Sequence, residues 1–279
     1  MSGPRIVQNS DAFQEGSTYI RSAPANASAP IPPRIFNVTD STAAVAPPKA
    51  SLWEDFIDIF YQPSDVFSRR RDGKFGLALL FLAVTSGILF VLFRNGLGPI
   101  FDAEIARSNA ATLAANPELN AEQVAQGQAM MEKFAGVGYV IGMPIAVVLT
   151  GLVLWLVGKL FDAKQSVAAA IMIATYSQFP RLIELCVNAV QGIMMSPESI
   201  TSRFSVSLGV ARFLDPASIH PVLLAVIGSV DVFTIWVTIL IGIGLYVAAG
   251  VKKESAAIAA VLVWLVSLVP SLFGALQQA

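Results

Sequence analysis

Beyond Lys74 the chain alternates long apolar runs with short charged clusters. Phe75 to Phe93 carries no charge over a length that crosses a hydrocarbon core of about 30 Å, and Gly136 to Val157 and Ser255 to Phe273 repeat the pattern. Val167 to Met195 exceeds the roughly 20 residues one upright span needs. It is interrupted by A-T-Y-S-Q-F-P-R-L-I-E, residues Ala174 to Glu184. Pro180 removes a backbone donor and crowds the preceding turn, which predicts a kink here. The run from His220 to Gly250 is also too long for one span and is punctuated by Gly228, Ser229 and Asp231. It divides into a short membrane-dipping helix from Pro221 and a span over about residues 231–249. The pattern predicts an all-α polytopic membrane protein. Its core is a five-helix transmembrane bundle with a broken third helix, the spans lying at about 75–93, 136–157, 167–195, 231–249 and 255–273.

Ahead of the first span, Leu52, Trp53, Phe56 and Phe60 recur at helical spacing behind Ser51, whose distance in sequence from Glu54 fits a capping box. They predict an amphipathic docking helix within residues 51–68, ended by Pro63, with Ser64 capping a short turn through Phe67. Its polar face, Glu54, Asp55 and Asp58, has the wrong sign for attachment to anionic lipid, so apolar contact alone is expected to hold it. Residues 94–133 predict an external loop of two short helices, split at Asn116-Pro117, with Asn120 capping the second. Between Ser196 and Ile219, Phe204, Val206, Leu208 and Val210 alternate with Ser205, Ser207 and Gly209, a strand-like period of two. Residues 1–50, rich in Ala, Pro and Ser, predict a disordered cytoplasmic tail. The tail lacks the basic start and apolar core of a cleaved leader.

Composition narrows the function. The 279 residues are 55% hydrophobic and only 13% charged, which excludes an ordinary soluble domain. A net charge of -1 leaves no basic surface for nucleic acid. Cys186 and His220 are the only residues of their types, so neither an intramolecular disulfide nor a Cys- or His-based metal site is expected. The Met130-Met131 pair has no such ligand nearby and reads as packing. No cofactor is implied. Lys and Arg set the orientation: eight stand on short segments (69, 70, 71, 74, 159, 164, 252, 253), against five on the longer loops (94, 107, 133, 203, 212). This predicts five spans with the amino terminus cytoplasmic and the carboxyl terminus external.

The chemistry concentrates at the broken span. An Arg in hydrocarbon costs about 2.5 kcal/mol or more, so Arg181 should face protein, water or an opposite charge. Glu184, at i+3, is the nearest acid. Counting at 1.5 Å per residue puts Arg181 about 22 Å, and Asp231 about 28 Å, from the inner ends of their helices. A polar cluster of Arg181, Glu184 and Asp231 is therefore expected, with Tyr176 and Gln178 serving backbone groups freed by Pro180. In the second span, Gly138 and Gly142 have the small-xxx-small spacing of a helix-packing face. The string G-V-G-Y-V-I-G around them is no dinucleotide loop, because no strand precedes it. H-E-x-x-H, G-x-S-x-G and a second intramembrane Asp are all absent from the sequence, which argues against an enzyme.

Four stretches carry a resemblance: F-Y-Q-P-S-D-V-F (Phe60 to Phe67), E-Q-V-A-Q-G-Q-A-M-M-E-K (Glu122 to Lys133), Y-S-Q-F-P-R-L-I (Tyr176 to Ile183) and S-V-D-V-F-T-I-W (Ser229 to Trp236). In this order the chain resembles the Ypt-interacting-protein (Yip) membrane family, specifically its bacterial branch, over roughly Leu52 to Phe273. The resemblance implies a compact helical bundle in residues 51–279. For eukaryotic relatives it implies organisers of membrane traffic that bind small GTPases and one another; for bacterial members it implies no settled activity. Two functions fit. One is a non-enzymatic scaffold or adaptor in the bacterial cytoplasmic (inner) membrane, whose partners are the bilayer and other membrane proteins or a second copy, with no nucleic acid. The alternative is a transporter or channel component that uses the polar break.

Overall fold

A computed structural model describes residues 51–115, 118 and 120–276; the Ala/Pro/Ser-rich tail and the Asn116-Pro117 split lie outside the described residues. Eleven α-helices follow one another among these: α1 (Leu52–Tyr61), α2 (Pro63–Arg69), α3 (Gly76–Leu92), α4 (Arg94–Ala115), α5 (Ala121–Lys159), α6 (Val167–Ser177), α7 (Pro180–Met194), α8 (Pro221–Gly228), α9 (Val232–Val247), α10 (Lys253–Ser267) and α11 (Val269–Leu276). The fold is all-α, with no strand among the described residues. Val140–Lys159 in α5 and Lys253–Leu276 across α10 and α11 are long and apolar enough to cross a membrane. A third crossing arises if α3 and α4, bent by 90°, count as one. The run 167–195 forms two helices rather than one, and α9 is apolar but short.

Local signals account for most of the boundaries. Ser51 and Glu54 close a capping box on α1, and Asn120 and Gln123 close one on α5. Pro221 opens α8, with the His220 ring nitrogen accepting from the Val222 N–H. Ser64 caps nothing: Pro63, which suits a first helical turn, occupies that position in α2. The second helix of the predicted external loop is not separate, because α5 runs unbroken for 39 residues from Ala121 through Pro144 to Lys159. The alternating segment before Ile219 does not extend. It forms 3-10 turns at Arg203–Val206 and Val210–Phe213, leaving a single isolated bridge between Gly209 and Asp231. Its apolar side chains Phe204 and Val206 are buried by turns instead of by a sheet partner.

The centre of the bundle is α6. Every residue from Ala169 to Ser177 is buried, as expected of a helix that is apolar all round and small-faced at Ala169, Ala170 and Ala174. On one side it meets the α1–α2 hairpin, whose Ile59, Val66 and Phe67 are fully buried. Three basic segments gather at one end of the bundle: the Lys164 N–H donates to the Ala249 carbonyl at 3.1 Å, and Gly73, at φ 79°, lies against Ala168 and Ala169. A side chain at Gly73 would collide with that backbone and also be strained. At the other end α4 packs on α7 through Gly96 and Gly192, where a Cβ on either would overlap the other helix's backbone.

Candidate functional site

The break between α6 and α7 closes its own backbone. The Arg181 N–H donates to the Gln178 carbonyl at 2.9 Å and the Leu182 N–H to the Phe179 carbonyl at 3.0 Å. The Tyr176 carbonyl, which Pro180 leaves without its usual donor, accepts from the Phe179 N–H at 3.3 Å, so the tightened backbone does what the Tyr176 and Gln178 side chains were expected to do, and those side chains turn elsewhere. Gln178 lines a cavity. Tyr176, fully buried, reaches back to the hairpin, its hydroxyl 3.5 Å from Asp55 Oδ2.

That contact belongs to a polar centre formed by the hairpin. Asp55 is 0% exposed. Its Oδ1 accepts from Arg69 Nη2 at 2.9 Å and Nε at 3.1 Å, and its Oδ2 from Arg70 Nε at 2.5 Å. Arg69 also donates to Asp58 at 2.6 Å. Burial alone would lower the Arg69 guanidinium, but the hydrogen bonds and charges of Asp58 and Asp55 outweigh it and push it above its ordinary value. Asp55 and Asp58 of the acidic face thus form an ion-pair network with Arg69 and Arg70, and apolar contact, expected to act alone, is only half of what seats α1. The other half is aromatic: Phe56 stacks on Phe81 at 4.0 Å and on Phe179 at 5.2 Å, Tyr176 stacks on Phe179 at 5.7 Å, and Phe60 meets Trp236 edge-on at 5.7 Å. Trp53 touches Phe81 but is 68% exposed, and Leu52 is half-buried. Tyr176 stands ten residues past the Ser166 cap, about 15 Å along the helix, so the hairpin meets the middle of the broken element rather than its mouth.

A second polar centre lies beyond Pro180. Arg181 Nη1 pairs with Glu184 Oε2 at 2.6 Å, and Nη2 donates to the Thr234 hydroxyl at 3.0 Å. Asp231 does not touch Arg181. It caps α9, accepting from the Thr234 N–H at 2.8 Å and from the Thr234 hydroxyl at 3.1 Å. Thr234 is thus the bridge between the two, one hydroxyl accepting from the cation and donating to the anion. This centre opens on a cavity of about 340 Å³ that Arg203, Asp231, Thr234 and Trp264 also line. A second cavity of about 300 Å³, lined by Leu82, Ser86, Met143 and Gln178, shares the wall formed by Arg181, Glu184 and Asn188.

Thr234, Asp55, Arg69 and Arg70 are the site residues that sequence reasoning missed. Thr234 has a local signal, standing three residues after a capping Asp. The other three have none beyond opposite charges on either side of Pro63. Gly138 and Gly142 lie apart from both centres, exposed on α5, with no atom within 4 Å of where a Cβ would stand. Among the described residues no group of His, Cys, Asp or Glu could hold a metal ion.

Compared with known families, residues 57–274 match the Yip1 domain. The chain belongs to the Yip1 domain family. The matched region takes in the Arg181 centre and the broken helix; it begins two residues after Asp55 and ends two residues before the end of the last candidate span. No curated protein and no solved structure matches the chain. With the apolar helices, membership in the Yip1 domain family identifies a membrane protein.

Proposed function

We propose that this Yip1-domain protein is a five-span adaptor of the bacterial inner membrane, amino terminus cytoplasmic and carboxyl terminus external, that holds another membrane helix against α5. One observation carries the reading. Along α5, Ile141, Ile145, Leu149, Leu152 and Leu156 are all exposed at spacings of three and four, and the stripe begins at Gly138 and Gly142, which nothing in the chain approaches. Without a hydrophobic drive between helices in lipid, such small residues are what lets a partner backbone come close. The five-span topology is supported by the gathering of segments 69–74, 159–164 and 249–253 at one end of the bundle, the end that the positive-inside bias assigns to the cytoplasm. The role is non-enzymatic: it rests on packing faces, with the Arg181 charge met inside the chain by Glu184. The transport reading draws on a different observation, the two cavities that meet at Arg181, Glu184 and Asn188.

The test is mild detergent extraction of tagged protein from its own membrane, beside a Gly138→Leu, Gly142→Leu variant. A stoichiometric partner or second copy retained by the native chain and lost from the variant is the expected result. A lone protein in both samples would leave the adaptor reading without support and favour transport.

A further inference from the structure

The 340 Å³ cavity beside the broken helix carries more charge than its internal pairing uses. Arg181 is engaged by Glu184 and Thr234. The Asp231 carboxylate bonds only to Thr234 among the described residues, and no cation among them pairs with it. Arg203, across the cavity, makes no ion pair among the described residues. Its guanidinium lies over the Phe204 ring at 5.0 Å, and only its backbone N–H reaches Glu104, whose carboxylate is given to Arg107. A third group is left over: the Trp264 indole N–H is buried and has no acceptor. One cavity thus holds an unpaired cation, an unused donor and an unpaired anion.

That combination selects a ligand by charge. A purely anionic group would meet Asp231 and Glu184, and a purely cationic one Arg181 and Arg203. A group with both signs meets a partner for each and leaves the net charge of the cavity unchanged. We propose that the cavity binds the ethanolamine-phosphate headgroup of a zwitterionic phospholipid, its phosphate oxygens at the Arg203 guanidinium and the Trp264 N–H and its ammonium at the Asp231 carboxylate. The volume falls at the lower end of the range for small-ligand pockets. A lipid is favoured over a free zwitterion by what surrounds the opening. Leu223 and Val226 on α8 and Val269 and Phe273 on α11 flank cavity-lining residues and are exposed, a surface for acyl chains. The proposal is independent of the α5 face and of whatever partner that face holds.

The experiment is native mass spectrometry of the full chain in detergent, with phosphatidylethanolamine and phosphatidylglycerol added in turn. The native protein should retain the ethanolamine lipid roughly fivefold or more over the glycerol lipid, the discrimination one lost charge contact supplies. Asp231→Asn keeps an acceptor for the Thr234 N–H and should bring the two lipids near parity. Arg203→Gln, an exposed change, should weaken both lipids several-fold while the protein stays folded, with only a small fall in melting temperature from the lost charge near Glu104. Equal retention of both lipids by the native protein, or an Arg203→Gln protein that holds the ethanolamine lipid as well as the native one, would overturn the proposal. Displacement of the lipid by soluble phosphoethanolamine at comparable concentration would overturn the lipid assignment in favour of a free zwitterion.

Discussion

Both polar centres join arginine to carboxylate, and the surroundings give the same chemistry opposite consequences. At the hairpin a single carboxylate, Asp55, is sealed from solvent and held by two guanidinium groups and a buried phenol. At the broken helix Arg181 and Glu184 keep 37% and 22% of their side-chain surface and face a cavity. A sealed ion pair cannot be rearranged without stranding a charge in a low-dielectric interior. An open one can exchange partners with water or a ligand at little cost. The hairpin centre therefore works as a lock on α1, and the break as a place where something can bind.

The largest effect follows from the lock. Asp55→Ala leaves Arg69, Arg70 and Tyr176 without their common partner, and removal of one member of a buried pair costs about 3–5 kcal/mol. Thermal unfolding in detergent should show this as a large drop in melting temperature or a failure to accumulate. Glu184→Ala, at the open centre, should cost about 1 kcal/mol. Equal losses at the two positions would abolish the distinction.

The aromatic half of the lock gives the next test. Phe56 is stacked between Phe81 and Phe179, so Phe56→Ala should cost about 3 kcal/mol. Trp53→Ala, three residues away and mostly exposed, should stay within about 1 kcal/mol. If the tryptophan proves the more costly loss, the helix is seated by lipid contact rather than by the bundle.

How these centres were hidden or visible in the sequence depends on the range of the interactions. Ser51 and Asn120 could be read as caps, and Pro180 as a break, because each acts within a turn of itself. Arg181 and Glu184 were legible for the same reason. The link from Asp55 to Tyr176 spans 121 residues, and a carboxylate on a helix face carries no mark that tells burial from solvation. Amphipathic reasoning marks such a face as polar without saying what it meets, which is why apolar contact alone was expected to seat the helix. The period of two before Ile219 misled for a related reason. Alternation reports which side chains are buried, and 3-10 turns docked on α4 and α7 can bury Phe204 and Val206 as a strand would.

A smaller effect tests the bridge at the open centre. Because Arg181 and Asp231 meet only through the Thr234 hydroxyl, a double-mutant cycle between Arg181→Ala and Asp231→Ala should show a coupling of about 0.5–1 kcal/mol. Repeated in a Thr234→Val background, the coupling should fall to near zero. A coupling that survives Thr234→Val would mean that the charges act on each other directly, and the open centre would then resemble the sealed one.

The smallest effect concerns whether the loop bearing Arg203 forms a fixed wall of the cavity. Burial alone would raise the Glu104 carboxyl, but the Arg107 hydrogen bond and the nearby charge of Arg203 hold it below its ordinary 4.5. A carboxyl lowered on folding contributes stability that is complete above its unfolded value and is lost as pH falls through the folded one. The stability difference between the native protein and Glu104→Gln should therefore be constant from neutral pH down to about 5 and shrink below that. Arg203→Gln should flatten part of this acid slope and Arg107→Ala more of it, because Arg107 alone bonds the carboxylate through its side chain. A slope untouched by Arg203→Gln would detach the loop from α4, and a difference that widens toward acid would reverse the sign of the shift itself.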